Sequence, residues 1–293
     1  MGDSAEETWA NLQEQEGQPL VNHAGAETLP PGSIFKIITT AAGLNNGFDP
    51  SSTLTGSNVI TLPDTVTELT NYANQKCNGQ DAVTLQTAFA LSCNTAFVEM
   101  SEQLGADELR KYAKAFGVGE NYDLGVSTSA GTLGDLPDGA ATAQSAIGQR
   151  DVTMTALQAA VMAGTVANKG TRMQPYLVNR ITDAQMKDVR TTKPKKADQA
   201  VNEETAATLT DLMYASERSS WGYDGNGFAS KTGTAEHGEG LAPHVWYVAF
   251  DPERDIAVGV VVKNGGNLGE SATGGKVSGP IGRAILRAYQ GEQ

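Results

Sequence analysis

The sequence predicts an α+β fold, in which a block of helices is followed by an antiparallel sheet. Apolar residues at helical spacing fill long stretches between Ser33 and Ser219. Three short runs rich in β-branched and aromatic residues then follow one another: FASKTGTAEH, HVWYVAFDP and RDIAVGVVVKN. Because the helical and strand-like runs are grouped rather than alternating, they indicate helices packed on a meander and not a βαβ arrangement.

The helices can be placed in order from their apolar spacing and their end signals. The run after Pro31 and Gly32 is apolar on every side, which predicts a helix buried all round that ends at the C-cap residues 45–47. Helices are predicted over Glu6–Glu14, Ser33–Leu44, residues 83–105 with a break near Ser92–Asn94, 106–117, Met154–Asn168, Glu203–Ser219 and 278–290. The last of them is expected to lie across the sheet.

The strand predictions rest on short runs separated by turns. The polar residues Asp251–Asp255 are typical of a turn between two antiparallel strands. Ile256–Val262 is predicted to be a buried strand, since it is far shorter than the roughly 18 apolar residues of a membrane span. Between residues 173 and 201 the alternation is weak, and the basic residues Lys193, Lys195 and Lys196 favour a solvated loop over a binding patch.

Composition excludes several classes of protein. The 293 residues, 39% hydrophobic and 19% charged, are typical of a soluble globular protein with a core large enough for an enzyme. The net charge of −13, from 21 basic and 34 acidic residues, opposes binding to a phosphate backbone, so we expect no nucleic-acid partner. The acidic first residues lack the pattern of a signal peptide.

The sequence lacks the common motifs for binding a metal ion or a phosphate group. The histidines His23, His237 and His244 lack metal-ligand spacing, and two cysteines are too few for a structural zinc site, so we expect no metal and no cofactor. Neither a phosphate-binding loop nor a Gly-x-Ser-x-Gly motif is present. Cys77 and Cys93 lie 16 positions apart, a spacing that leaves open two buried thiols or one disulfide.

Ser33 and Lys36 are the first candidates for covalent chemistry. Side chains three positions apart on a helix share a face, so this hydroxyl and this amine can act as a nucleophile and its base. Lys36 interrupts an apolar helix, where a buried ammonium is costly, and Ser33 stands near the N-terminus, where free N–H groups favour developing negative charge. We therefore expect Lys36 to titrate low.

Two further motifs follow in order, Ser92-Cys93-Asn94 and Lys231-Thr232-Gly233-Thr234. Each is common in turns or strands on its own, but the ordered set Ser-x-x-Lys, Ser-x-Asn and Lys-Thr-Gly is shared by penicillin-binding proteins and serine β-lactamases. With the flanking segments PPGSIFK, SCNTAF, IGQRDVTMTALQ, PHVWYVAFDP and NGGNLGESATGG, the chain resembles the transpeptidase domain of class B penicillin-binding proteins, above all the actinobacterial penicillin-binding protein A group.

The resemblance implies an antiparallel sheet flanked by helices, with an all-helical subdomain and a cleft between them. It implies a single domain over residues 1–293, with a lead-in over 1–28, the helical subdomain over about 48–170, and the sheet with its last helix over about 225–293. Only 32 residues precede Ser33, so the first strands of the family sheet are expected to be missing and one sheet edge to be unpaired.

The resemblance also implies roles for the first two motifs. Ser33 matches the acylated nucleophile, and Lys36 matches the base that takes its proton. Ser92 matches the hydroxyl that passes a proton to the leaving amine, and Asn94 matches the amide that holds the substrate backbone and Lys36.

For the third motif, the resemblance implies that Lys231 and Thr232 recognise the terminal carboxylate of the substrate. Gly233 is expected to leave room for the substrate along the strand. The backbone N–H groups of Ser33 and Thr234 match the oxyanion hole. Two departures are expected to alter contacts near the cleft, His23 where arginine is usual and Arg150 where glycine is frequent.

The expected activity is peptidoglycan D,D-transpeptidation through an acyl-serine on D-Ala-D-Ala stem peptides, inhibited covalently by β-lactams. The alternatives are a D,D-carboxypeptidase, a serine β-lactamase, or a noncatalytic penicillin sensor; a β-lactamase is disfavoured because no Glu-x-x-Leu-Asn segment lies between Asn94 and Lys231. Expected partners are stem peptides, β-lactams and a cell-wall synthesis complex. The resemblance places the full-length protein on the extracytoplasmic face of the membrane, held by an anchor absent from this soluble chain. In that location disulfides are stable, so a Cys77–Cys93 disulfide and two free thiols carry equal weight as expectations.

Overall fold

The structure is a computed structural model that describes residues 4–238 and 240–291. Its helices are α1 (Ala5–Glu14), α2 (His23–Ala26), α3 (Lys36–Leu44), α4 (Leu85–Leu91), α5 (Asn94–Ala115), α6 (Gly139–Ala146), α7 (Ala156–Ala167), α8 (Glu203–Ser219) and α9 (Ser278–Gly291). Short 3₁₀ turns cover Gly32–Phe35, Tyr72–Asn74, Cys77–Gly79 and Lys263–Ser271. Each predicted helix is present, with ends that differ from prediction by a few residues.

The strands form one larger sheet and several two-stranded ladders. They are β1 (Thr53–Thr55), β2 (Val59–Thr61), β3 (Glu68–Thr70), β4 (Ala82–Thr84), β5 (Thr171–Met173), β6 (Arg180–Thr182), β7 (Asp188–Thr191), β8 (Lys196–Gln199), β9 (Ala229–Ala235), β10 (His244–Asp251) and β11 (Ile256–Val262). The ladders pair β1 with β4, β2 with β3, β5 with β8, and β6 with β7. The larger sheet has the order β11-β10-β9 and is antiparallel, as the sequence predicts.

The middle strand β10 contributes side chains to the apolar clusters on both faces of the sheet. Trp246 and Val248 face the main apolar cluster, which α7 completes, whereas Tyr247 and Ala249 face the opposite side and pack with Leu286 of α9. Successive side chains of a strand alternate between the two faces of its sheet. Because helices cover both faces, every residue of β10 is buried, and its sequence reads as a nearly continuous apolar run.

The outer strand β11 corrects one expectation. It is a strand, but the prediction that it is buried is wrong, because only Val258 is buried and its other residues are half-buried. Among the described strands, β11 pairs with β10 alone, so its outer edge has no strand beside it. The described residues before Ser33 form α1, α2 and an isolated bridge between Leu29 and Met154, and they add no strand to this sheet.

α3 is buried among the other helices. Every residue from Lys36 to Gly43 is buried, and α5 packs against both α3 and α6. The break predicted near Ser92 is confirmed, since Ser92 ends α4 in the left-handed conformation with φ 62°. Gly105, with φ 73°, divides α5 at the point where two helices were predicted to meet. The reversal at Ser92 turns the α4–α5 connection towards α3.

Two other segments bear on the sequence expectations. α7 packs on β10 and β11. The subdomain boundaries near 48 and 170 stay predictions. Lys193, Lys195 and Lys196 are exposed, as expected, but Lys196 begins β8, so the prediction of a loop is wrong at that residue. Among the described residues, none of the helices combines the length and apolarity that crossing a membrane requires.

A buried ion pair joins α8 to α9 beside the sheet. Glu217 Oε1 accepts a hydrogen bond from Arg283 Nε at 2.6 Å, and both side chains are almost completely buried. The same carboxylate accepts hydrogen bonds from the hydroxyls of Ser230 and Tyr247 and from Asn226 Nδ2. Burial alone would raise the pKa of Glu217, but these donors and the guanidinium hold it below its usual value. Glu217 thereby links α8 and α9 to β9 and β10.

Replacing Arg283 by methionine is expected to lower the free energy of unfolding by about 3–5 kcal/mol, because Glu217 would be left as an uncompensated buried charge. Urea unfolding followed by circular dichroism measures this. Arg287→Met is the matched control: its ion pair with Asp224 is nearly half exposed, so a change below about 1 kcal/mol is expected. Equal losses in the two variants would contradict this account.

Candidate active site

Ser33 and Lys36 lie on one turn at the start of α3. Ser33 belongs to the 3₁₀ turn Gly32–Phe35, and α3 begins at Lys36. Because a 3₁₀ helix has three residues per turn, side chains three positions apart lie on the same face. Lys36 is fully buried, whereas Ser33 is half-buried. Within the described residues the Ser33 hydroxyl makes no hydrogen bond, since the neighbouring amines donate to other acceptors.

Gly32 holds this turn against the sheet. Its φ is +52°, in the left-handed region that favours glycine, and its N–H donates to the Gly148 carbonyl at 2.9 Å. A Cβ at Gly32 would lie 2.8 Å from the carbonyl oxygen of Thr234 on β9. The turn that carries Ser33 therefore contacts the backbone of β9 directly, so a side chain at position 32 would separate them.

The Ser92-Cys93-Asn94 motif occupies the α4–α5 turn and surrounds the Lys36 amine. Lys36 Nζ donates to the Asn94 Oδ1 atom at 2.7 Å, to the Ser92 carbonyl at 2.8 Å and to the Ser92 Oγ atom at 3.3 Å. Asn94 Nδ2 in turn donates to the Thr70 carbonyl at 3.1 Å, which fixes the orientation of the amide. The structure thus brings together the first two motifs, which are 56 to 58 positions apart in sequence.

Lys231 of β9 brings a second buried amine to the same hydroxyl. Its Nζ donates to Ser92 Oγ at 2.9 Å and to the Thr232 carbonyl at 3.0 Å, and its side chain is fully buried. The Ser92 hydroxyl therefore lies between the amines of Lys36 and Lys231, so a proton can pass from one side to the other through a single oxygen.

Burial changes the titration of both amines. Burial, reinforced by the positive charge of Lys231, places the pKa of Lys36 well below its usual value, in the direction that the sequence predicts. Burial lowers the pKa of Lys231 to about 7. Three donated hydrogen bonds need the charged amine, whereas the neutral amine has two N–H groups: it can donate to Ser92 O and Asn94 Oδ1, the two shorter contacts, and keep a lone pair in place of the 3.3 Å donation to Ser92 Oγ. That lone pair is what a general base requires.

The Lys-Thr-Gly-Thr motif lies along β9 opposite β10, with Gly233 paired to Trp246. A Cβ at Gly233 would lie 2.7 Å from the Pro31 carbonyl oxygen and 3.2 Å from the Cβ atom of Trp246. That the missing side chain leaves room for the substrate stays a prediction. The structure shows that it also permits the close approach of the Ser33 turn to β9, which no sequence pattern revealed.

Cys77 and Cys93 are joined by a disulfide with Cα atoms 5.7 Å apart, and both residues are buried. The sequence alone left thiols and a disulfide open. Because Cys93 stands between Ser92 and Asn94, the bond attaches this motif covalently to the turn Cys77–Gly79.

Two aromatic residues at the site escaped the sequence analysis. The amine of Lys36 lies 5.2 Å from the centre of the Phe97 ring, and that of Lys231 lies 5.7 Å from the centre of the Phe89 ring. Ring faces attract cations, so these contacts oppose part of the cost of burying the two amines. The signal was present, because Phe89 precedes Ser92 by three positions and Phe97 follows Asn94 by three, a helical spacing.

The three histidines contact a carboxylate or each other. His23 Nδ1 lies 3.0 Å from a carboxylate oxygen of Glu27, which also forms an ion pair with Lys263 at 2.7 Å. His237 and His244 stack with ring centres 3.9 Å apart. Within residues 4–238 and 240–291, no group of three or more potential ligands could hold a metal ion.

Comparisons with known proteins agree with this geometry. A family model described as the penicillin binding protein transpeptidase domain matches residues 3–287. The chain is 44% identical over 291 residues to the peptidoglycan D,D-transpeptidase PbpA of Mycolicibacterium smegmatis, covering 96% of this chain and 59% of the relative. It is 42% identical to PbpA of Mycobacterium tuberculosis, covering 98% of this chain and 60% of that protein.

A solved structure shares the fold. Penicillin-binding protein A of M. tuberculosis, as a ceftriaxone acyl-enzyme complex, matches with a TM-score of 0.92 and 41% identity over 97% of this chain and 65% of that chain. The α+β fold and the class predicted from the motifs are confirmed. The chain spans about 60% of the length of the curated relatives that it matches. By sequence and by structure, it belongs to the penicillin-binding protein transpeptidase domain family.

Proposed function

We propose that this chain is the catalytic part of a peptidoglycan D,D-transpeptidase that forms an acyl-enzyme on Ser33. The observation that carries the proposal is the position of the Ser92 hydroxyl between two buried lysine amines, one of which, Lys36, follows the half-buried Ser33 by one turn. The PbpA relatives are named peptidoglycan D,D-transpeptidases, and M. tuberculosis penicillin-binding protein A forms acyl-enzymes with β-lactams.

In the first step, the neutral amine of Lys36 takes the Ser33 proton as Ser33 Oγ attacks the carbonyl carbon of the D-Ala-D-Ala bond. The oxyanion is stabilised by the backbone N–H groups of Ser33 and Thr234, which lie on two segments in close contact. Lys231 and Thr232 bind the terminal carboxylate. The product of this step is a tetrahedral intermediate on Ser33.

Collapse of the intermediate breaks the peptide bond and needs a proton for the leaving amine. Ser92 Oγ lies in hydrogen-bond contact with both amines, 3.3 Å from Lys36 Nζ and 2.9 Å from Lys231 Nζ. The proton held on Lys36 therefore reaches D-alanine through Ser92, which is reprotonated in the same event. The ester then passes to the amine of a neighbouring stem peptide, and Lys36 accepts the proton that this amine loses.

The partners follow from this reaction. Stem peptides are the substrates, and β-lactams are covalent inhibitors because they present a strained amide to the same nucleophile. We further propose that the full-length protein works in a cell-wall synthesis complex on the extracytoplasmic face, where the Cys77–Cys93 disulfide persists.

Mass spectrometry of the intact protein after exposure to benzylpenicillin tests the proposal. We expect one stable penicilloyl adduct, which peptide mapping places on Ser33. An adduct that disappears quickly would favour the β-lactamase alternative. Incubation with a D-Ala-D-Ala peptide, with and without an amine acceptor, separates transpeptidation from carboxypeptidation. Acylation by penicillin without any reaction on the peptide would instead indicate a sensor.

The second-order rate constant of acylation is expected to have a bell-shaped dependence on pH. The rising limb follows loss of the Lys36 proton, whose pKa burial and the charge of Lys231 lower. The falling limb follows loss of the Lys231 charge near its pKa of about 7, which burial sets. Because the two amines contact the same atom, Ser92 Oγ, the apparent pKa values of both limbs describe the coupled pair of lysines and not either lysine alone. Stopped-flow acylation between about pH 5 and 9 measures the profile, and a flat profile would contradict it.

A further inference from the structure

We propose that Trp246 is a positioning residue for the oxyanion hole: by binding the Pro30 carbonyl, its indole N–H fixes the backbone N–H of Ser33 relative to that of Thr234. The inference rests on the proposed function, since it concerns the step in which the oxyanion forms on Ser33. Among the described residues, the indole N–H of Trp246 donates to Pro30 and to neither the nucleophile nor the two lysines, so its effect is exerted through the turn that carries Ser33.

The geometry begins with the register of the sheet. Trp246 on β10 is paired with Gly233 on β9, so both positions face the same side of the sheet. Because Gly233 has no side chain, the indole can extend over it towards the Ser33 turn. Trp246 is fully buried, and its Nε1 donates to the carbonyl of Pro30 at 2.8 Å.

The two N–H groups of the oxyanion hole lie on different segments, Ser33 on the 3₁₀ turn and Thr234 on β9. Their separation therefore depends on how the turn is held against the sheet. Backbone packing brings the segments together at Gly32 and Gly233. Packing contacts are less directional than a hydrogen bond, so a hydrogen bond between the segments defines their relative position more closely. Within the part of the chain that the structure describes, a single hydrogen bond joins this sheet to residues 30–33, the bond from Trp246 Nε1 to the Pro30 carbonyl.

The sequence of the turn explains why this bond has few substitutes. Pro30 and Pro31 have no N–H groups, so the two prolines themselves can be held by backbone or side-chain hydrogen bonds only through their carbonyl oxygens. The Gly32 N–H is already bonded to Gly148. Without the indole donor, the Pro30 carbonyl would lose its partner in a closely packed region, and the turn would lose its hydrogen bond to β10 while keeping those to Gly148 and Met154. Oxyanion stabilisation depends on donor distances within a few tenths of an ångström.

Trp246→Phe removes the N–H donor and keeps an aromatic ring in the core. Stopped-flow acylation by benzylpenicillin is expected to show a rate constant at saturation about tenfold lower, with a dissociation constant within about twofold of the wild-type value. Deacylation is expected to slow as well, because it passes through an oxyanion at the same site. The infrared stretch of the penicilloyl ester carbonyl should move to higher wavenumber as its hydrogen bonds weaken.

Trp221→Phe is the matched control, since it also removes an indole N–H but from a side chain that is 59% exposed. Should the phenylalanine variant fold poorly, β-(3-benzothienyl)alanine at position 246 replaces the N–H by sulfur at nearly the same shape. Wild-type rates and an unshifted carbonyl stretch in either variant of Trp246 would overturn the inference, as would lower stability of that variant with an unshifted stretch. A wild-type protein without an adduct on Ser33 would refute the proposed function and this inference with it.

Discussion

Ser33→Ala is expected to abolish the covalent adduct with benzylpenicillin and all turnover of D-Ala-D-Ala peptides. Covalent catalysis divides a difficult acyl transfer into two easier steps, and without the hydroxyl there is no oxygen to carry the acyl group. Stability should be almost unchanged, because the half-buried Ser33 hydroxyl makes no hydrogen bond within the described residues. Loss of acylation with unchanged stability is the signature of a nucleophile.

Labelling with a fluorescent penicillin and thermal unfolding of the same samples measure both quantities. Ser127→Ala is the matched control, since Ser127 is an exposed serine in a loop and its replacement should leave labelling at the wild-type level. If the Ser33→Ala protein were still labelled, the nucleophile would lie elsewhere. Peptide mapping would then examine Ser92 first, because its Oγ atom accepts hydrogen bonds from both lysine amines.

The sequence predicted this site as far as local patterns reach. Ser33 and Lys36 are three positions apart, so local geometry alone places them on one face. The apolar residues around Lys36 predicted that its side chain is buried. Ser92 and Lys231 were joined to them only through the family resemblance. Their actual meeting depends on the left-handed turn at Ser92 and on the path of β9, which are set by tertiary packing.

Other features depended on neighbours that no local pattern specifies. The run at Ile256–Val262 predicted a strand correctly but predicted its burial wrongly, since burial of an apolar strand depends on what lies beside it. The Cys77–Cys93 bond needed a distance between two segments. The contact between Trp246 and Pro30 joins residues 216 positions apart, and only the register of the sheet brings them together.

Lys36→Met is expected to lower the acylation rate by about 10²- to 10⁴-fold, the usual contribution of a general base. Methionine has nearly the length of lysine and suits the buried position, so the core should stay filled while the lone pair is lost. The dissociation constant for benzylpenicillin should change little, because Lys231 and Thr232 are proposed to bind the carboxylate. Stopped-flow kinetics separate the two constants, and Lys114→Met, at an exposed lysine on α5, is the control.

The same substitution makes a second prediction, about the pH dependence of stability. The pKa of Lys36 is lower in the folded protein than its usual value of about 10.4 in an unfolded chain, so the unfolded state binds more protons between the two values. The cost of burying the charged form is therefore fully present below the folded pKa. It is relieved as the pH rises from there towards the unfolded value.

The stability of the wild type should accordingly rise with pH relative to that of Lys36→Met, which has no amine to titrate at this position. Urea unfolding of both proteins at several pH values measures the difference. A difference that is constant with pH would mean that the pKa of Lys36 is the same folded and unfolded, and a buried neutral base would then be excluded. If Lys36→Met acylates slowly, and if the unfolding free energy of the wild type rises with pH relative to that of the variant, Lys36 is identified as the base. The same result shows that its charged form is destabilised by burial.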